Sequence, residues 1–146
     1  MPLTTSVTLF NREASHAMLA YLNPSSRTLF DFDPSPFTPT SPVVAVELGS
    51  GTGFVAACVA EWLHPQQDLL IATDLPEVCP LLESNLRSCP TIRVCPLPWG
   101  SKVDADALNA KYLCQLPSEP NTGARPLTHV LCSDLVCPSV QCLFFG

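Results

Sequence analysis

The strongest constraint on the fold is a short apolar run that leads directly into a glycine-rich segment. Residues 43–46 read Val-Val-Ala-Val, and residues 47–53 read Glu-Leu-Gly-Ser-Gly-Thr-Gly. An uninterrupted apolar run is typical of a strand that is covered on both faces of a parallel sheet. Glycines after such a strand allow a sharp turn and a close approach of the backbone to a ligand. The segment therefore predicts a strand, a ligand-binding loop and a helix in succession.

The chain that follows alternates apolar runs with helical patterns. Further buried strands are predicted at residues 69–72, 92–95 and 128–132. Between them, apolar residues recur at helical spacing, as expected of helices that cover the sheet. Strands and helices in strict alternation predict a parallel α/β sheet with right-handed crossovers.

The chain before the first strand is predicted to be a separate N-terminal segment. Residues 11–22 have the apolar spacing of a helix, which Asn23-Pro24 ends. Four prolines between residues 31 and 42 remove backbone donors, so this stretch is predicted to be an extended connector. We therefore divide the chain into an N-terminal helix with its connector (1–42), a core (43–136) and an atypical tail (137–146).

The composition argues against several classes of protein. Thirteen acidic and seven basic side chains leave a net charge of −6, which is unlike the basic surface of a nucleic-acid-binding protein or of a protein held by anionic lipids. The eight cysteines include no C-x-x-C pair and no signal peptide precedes them, so neither a metal site nor a secreted disulfide scaffold is expected. We expect the chain in the cytosol, with the nucleus as the alternative.

The residues around the glycine loop limit the classes of ligand that it can bind. A dinucleotide fingerprint would need glycine or alanine where Phe54 stands, and no Gly-Lys-Ser/Thr of a P-loop follows. Glu47 would repel a pyrophosphate but attract a cationic group, such as the ammonium or sulfonium of S-adenosylmethionine (SAM). Asp74, at the end of the second strand, suits ribose hydroxyls in both NAD and SAM folds. A plain turn with a solvated Glu47 remains the alternative.

Four segments together carry a resemblance to a known family. Residues 46–53 are similar to its first motif, and residues 73–76 with 81–86 are similar to its second strand and helix. Residues 97–100, Leu-Pro-Trp-Gly, resemble its L-x-W-G motif, and residues 132–136, Cys-Ser-Asp-Leu-Val, resemble its fourth-strand motif. The chain is thus identified as resembling the seven-strand (class I) SAM-dependent methyltransferases, and within them lysine methyltransferase family 16, the methyltransferase-like 21 group.

The resemblance implies a Rossmann-like parallel sheet, of which about four strands are present here, with SAM as cofactor and a protein lysine as methyl acceptor. The catalytic residue on the substrate side would be Asp134, which could orient the amine for in-line attack on the methyl group. A core position for Trp99 and a capping role for Asp134 are the alternatives. The residues expected to bind the cofactor are Glu47, Gly49, Gly51, Gly53, Asp74 and Trp99.

The sequence departs from the family pattern after Val136. The family continues with a tyrosine, a further helix and three more strands, whereas here Cys137-Pro138 follows and the sequence ends at Gly146. We therefore expect a domain shortened by splicing or by a gene model, whose fourth strand is an apolar edge that a chaperone or a partner chain would cover. Besides a lysine methyltransferase, two hypotheses stay open: an inactive fragment that still binds SAM or a partner, and a nucleotide-dependent oxidoreductase, against which Phe54 argues.

Overall fold

The computed structural model describes residues 7–22, 42–113 and 126–133. Helices and strands alternate along these ranges, as the apolar pattern predicts. A π-helical segment, Asn109–Leu113, continues the fourth helix. The helices are α1 (Val7–Leu22), α2 (Phe54–Ala60), α3 (Cys79–Leu86) and α4 (Lys102–Leu108), and the strands are β1 (Val44–Leu48), β2 (Leu69–Asp74), β3 (Ile92–Pro96) and β4 (His129–Cys132).

The four strands form one parallel sheet in the order β3-β2-β1-β4. Val46 of β1 is in register with Ile71 of β2 on one side and with Val130 of β4 on the other. This arrangement confirms the prediction of an incomplete Rossmann-like α/β sheet. All four strands run in the same direction, so their carboxyl ends meet at one edge of the sheet.

Both faces of the two central strands are buried, which explains their uninterrupted apolar sequences. On one face, Ala45 and Leu70 belong to a core that α2 and α3 complete. On the other face, Val46 and Ile71 pack with Leu108 of α4. A strand that has helices on both sides has no position for a polar residue to face water, and this applies to β1 and β2.

The N-terminal helix packs on the same core as the sheet. Leu22 of α1 is buried in the core that α2 and α3 cover, and Met18 packs against it. The ring of His16 meets the ring of Phe54 edge-on, with 5.4 Å between the centroids. The amphipathic spacing of residues 11–22 thus has its partner in α2.

At the edges, β3 and β4 are the outer strands of the sheet as far as the structure describes it. Val130 of β4 is 54% exposed. No helix in the described ranges is long and apolar enough to cross a bilayer. Residues 31–41 of the predicted connector and the whole predicted tail, 137–146, lie outside the described residues.

Candidate functional site

The carboxyl edge of the sheet brings the predicted site residues together. The glycine loop joins β1 to α2, Asp74 ends β2, and the turn that holds Trp99 follows β3. Open α/β sheets bind ligands at this edge, between loops that leave the strands in opposite directions. The geometry of each part of this edge determines what it can bind.

Glu47 is the most deeply buried acidic side chain of the site, and only 1% of its surface is exposed. The Ser50 hydroxyl donates a hydrogen bond of 2.8 Å to Glu47 Oε2. Burial raises the pKa of Glu47 to about 7, the Ser50 hydrogen bond opposes this shift, and the negative charge of Asp74 adds to it. The alternative of a turn with a solvated glutamate is therefore wrong, because this carboxyl group lies inside the protein.

The loop itself depends on glycine at three positions. Gly49, Gly51 and Gly53 have φ angles of 67°, 55° and 81°, in the left-handed region that other residues rarely adopt. The Ser50 N–H donates to the Thr73 carbonyl (2.9 Å), which attaches the loop to the end of β2. The spacing of the three glycines is thus a requirement of the backbone conformation.

Gly51 and Gly53 differ in what surrounds them. A Cβ atom built on Gly53 would lie 2.8 Å from Leu82 Cδ1 and 3.0 Å from Leu86 Cδ1, whereas one built on Gly51 would meet nothing within 4 Å. Gly53 is therefore needed for close packing against α3, and open space lies beside Gly51. The assignment of Gly53 as a cofactor contact stays a prediction, with packing as a sufficient reason for the glycine.

Asp74 connects the second strand to the glycine loop. The Gly51 N–H donates to Asp74 Oδ2 and the Leu75 N–H donates to Asp74 Oδ1, both at 2.7 Å. A carboxylate oxygen accepts more than one hydrogen bond, so both oxygens retain acceptor capacity for hydroxyl groups of a ligand. The side chain is half-buried beside the open space at Gly51.

Trp99 lies in the turn that follows β3. The Leu97 N–H donates to the Asp74 carbonyl (2.8 Å), which holds the start of this turn against the end of β2. Gly100 has a φ of 79° and ends the turn. The Trp99 side chain is 38% exposed, so the alternative of a core position is wrong. An indole that is partly exposed offers a flat apolar surface to a ligand.

The predicted substrate-side residue, Asp134, lies outside the described residues. Its strand is described as far as Cys132, which is in register with Leu48 at the end of β1. The role of Asp134 therefore stays a prediction. Among the residues that the structure describes, no group of three or more His, Cys, Asp or Glu side chains is arranged to hold a metal ion.

Three polar residues of the site were not predicted from the sequence. Ser50 is bonded to Glu47, and the Thr73 hydroxyl donates to the Glu47 carbonyl at 2.7 Å. The Asn85 side-chain amide of α3 donates to the Thr52 carbonyl of the glycine loop at 2.9 Å. Their positions in a loop, a strand end and a helix were visible in the sequence. The directions of their side chains depend on contacts between distant segments.

Comparison with known proteins identifies a family. A family model described as lysine methyltransferase matches residues 5–114. Solved structures similar to the chain include the CurJ carbon methyltransferase (21% identity, TM-score 0.38, 42% of this chain and 17% of that chain). A second is the precorrin-6y C5,15-methyltransferase from Geobacter metallireducens GS-15 (12% identity, TM-score 0.43, 65% of this chain and 42% of that chain). A third is the DszA carbon methyltransferase (20% identity, TM-score 0.41, 69% of this chain and 25% of that chain). The chain spans less than half the length of each. No curated protein matches its sequence.

Proposed function

This chain belongs to the lysine methyltransferase family of SAM-dependent methyltransferases, and we propose that it transfers a methyl group from SAM to the side-chain amine of a protein lysine. The observation that carries the proposal is the buried carboxyl group of Glu47 beneath the glycine loop, with Asp74 bonded to the same loop. Two acidic groups at one ligand-binding edge suit a ligand that is cationic at one end and has a ribose at the other.

The charge of Glu47 supports SAM over a dinucleotide. Burial raises the pKa of Glu47, and among residues 7–22, 42–113 and 126–133 no basic side chain shifts it. An ammonium group that approached this carboxyl would favour its ionised form and gain a charge-assisted hydrogen bond. A pyrophosphate would instead meet two acidic side chains at the same edge. The acidic side chains of this site therefore suit the cationic methionine portion of SAM.

Each of the other predicted cofactor residues would contact a different part of SAM. Gly49 and Gly51 would let the backbone approach the methionine portion, because open space lies beside Gly51. Asp74 would accept hydrogen bonds from the ribose hydroxyls. Trp99 would stack on the adenine from the turn after β3, where its ring is partly exposed.

The methyl-transfer step needs little covalent help from the protein. SAM supplies a methyl group that is already activated by the sulfonium. The chain would hold the acceptor amine neutral and in line with that methyl group, which lowers the entropic part of the barrier. We assign this orientation to Asp134, and we propose that residues 43–136 form the catalytic core. A lysine of a protein as the acceptor is supported by the family description and by the motifs at residues 97–100 and 132–136.

Calorimetric titration tests the cofactor. SAM should bind at pH 8 and NAD⁺ should not, and Glu47→Ala should weaken SAM binding at least about tenfold, because a hydrogen bond to a charged group is lost. Glu83→Ala, an exposed change on α3, is the matched control and should leave SAM affinity unchanged. Binding of NAD⁺ without binding of SAM would overturn the proposal.

Transfer of a labelled methyl group tests the acceptor. A cell lysate incubated with the protein and methyl-labelled SAM should acquire labelled protein, and a lysate whose lysines have first been acetylated should not. Equal labelling of the two lysates would exclude lysine as the acceptor while leaving SAM as the donor.

A further inference from the structure

Ser50 of the glycine loop makes three hydrogen bonds within the candidate cofactor site. It is 8% exposed, and its hydroxyl donates to Glu47 Oε2 at 2.8 Å. Its N–H donates to the Thr73 carbonyl at 2.9 Å, and its carbonyl accepts from the Gly53 N–H at 2.8 Å. The two backbone bonds fix the loop at Ser50, and the third bond directs its hydroxyl at the carboxyl group of Glu47.

The backbone of Glu47 is held from the other side. The Thr73 hydroxyl donates to the Glu47 carbonyl at 2.7 Å, and Thr73 is itself buried. Ser50 and Thr73 are also joined through their backbones. The Thr73 hydroxyl therefore holds the backbone of Glu47, and the Ser50 hydroxyl holds its carboxyl group.

The electrostatic surroundings of this carboxyl group disfavour its charge. From β2 it faces the carboxylate of Asp74, and from β4 it interacts with the thiol of Cys132. It accepts hydrogen bonds from the backbone N–H of Ala56 on α2 and from the Ser50 hydroxyl in the loop. The hydrogen bonds from Ser50 and Ala56 therefore oppose a larger effect of burial, and no basic group of the described residues contributes.

We propose that Ser50 is a positioning residue that presents the ionised form of Glu47 to the cofactor's ammonium group, and that cofactor binding releases a proton from Glu47 to solvent. This inference rests on the proposed function. Before binding, the buried carboxyl group exists partly as the neutral acid. On binding, the carboxyl O–H bond breaks, the proton goes to water, and the carboxylate pairs with the ammonium group.

The proposal predicts a pH dependence of SAM affinity on the acidic side of neutrality. With a pKa of about 7, SAM should bind about eightfold more weakly at pH 6.0 than at pH 7.5, and binding at pH 6.0 should release close to one proton (about 0.9). Calorimetric titrations at pH 6.0 in two buffers with different ionisation enthalpies, phosphate and Bis-Tris, measure the number of protons released. The α-amino group of SAM titrates on the alkaline side, so the acidic limb belongs to the protein.

Variants of Ser50 separate positioning from structure. Ser50→Ala should move the acidic limb of the affinity profile to higher pH, because the hydrogen bond that favours the carboxylate is lost. Ser50→Thr retains the hydroxyl and should restore the wild-type limb. Ser84→Ala, an exposed serine change on α3, is the control and should match the wild type.

The outcomes distinguish this inference from the proposed function. If SAM binds the wild type with the same affinity at pH 6.0 and 7.5 and releases no proton, the inference is wrong, whether or not the Ser50 variants fold. If Ser50→Ala weakens binding equally at every pH, Ser50 has only a structural role and the positioning claim is wrong. Failure of SAM to bind at any pH would instead refute the proposed function.

Discussion

Replacement of Glu47 by glutamine should stabilise the protein while it weakens the binding of SAM at least about tenfold. The pKa of Glu47 in the folded protein is about 7, against an ordinary value of 4.5. Between these values the folded protein binds more protons than the unfolded chain, so the free energy of unfolding falls as the pH rises through this window. The difference between the two pKa values means that the wild type is about 3 kcal/mol less stable at pH 8 than it is when Glu47 is protonated. Glu47→Gln has no charge to bury, and its amide oxygen can still accept from Ser50.

Urea unfolding at two pH values measures this effect. At pH 8 the free energy of unfolding should be higher for Glu47→Gln than for the wild type by about 3 kcal/mol. At pH 5 the gain should be under about 1 kcal/mol, because most of the wild-type carboxyl is then protonated in the folded protein. SAM at about ten times its wild-type dissociation constant should stabilise the wild type at pH 8 by about 1.4 kcal/mol. The same concentration should stabilise Glu47→Gln by no more than about 0.4 kcal/mol, because the variant binds SAM at least about tenfold more weakly.

A matched change on the surface is the control for the charge itself. Glu83→Gln also removes one carboxylate, but from an exposed position on α3, and should change the stability by no more than about 0.5 kcal/mol at either pH. If Glu47→Gln were less stable than the wild type by the same amount at pH 5 and pH 8, the ionisation of Glu47 would carry no cost in the folded protein, and the reasoning would fail.

Three further predictions concern the glycine loop and the turn after β3. Gly53→Ala should lower the free energy of urea unfolding by about 2–4 kcal/mol, because its φ is positive and the new methyl group would clash with α3. Gly100→Ala, at almost the same φ but in open space, should lower it by about 1 kcal/mol. Equal losses in the two variants would contradict the packing role of Gly53. Asn85→Ala should weaken SAM binding about two- to tenfold in calorimetry, because the loop loses its hydrogen bond from α3, and an unchanged affinity would rule out that contribution. In a Trp62→Phe background, SAM should change the fluorescence of Trp99, and no change would refute adenine stacking.

The sheet could be predicted because its signal is local. Residues 43–46 and 69–72 are uninterrupted apolar runs, and such runs occur where both faces of a strand are covered. The structure places them as the two central strands, with β3 and β4 outside them. The glycines were equally readable, since positive φ angles at Gly49, Gly51 and Gly53 are a property of each residue's own backbone.

Contacts between distant segments could not be read in the same way. The spacing of residues 11–22 predicts a helix with one apolar face, but nothing in it identifies α2 as the surface that the helix covers. The spacing of the glycines likewise gives no reason to separate Gly53 from Gly51. Only the packing of Leu82 and Leu86 shows that Gly53 is a contact point for α3.

Glu47 shows where the two sources of information divide. Its place at the end of an apolar run, two residues before a glycine, was enough to predict an acidic group at a ligand-binding edge. The chemical state of that group depends on how many neighbours exclude water from it, and on the Ser50 hydroxyl and the Asp74 carboxylate within range. The sequence alone therefore places an acidic residue at this edge. Its pKa depends on the folded structure, because solvation and charge act through space.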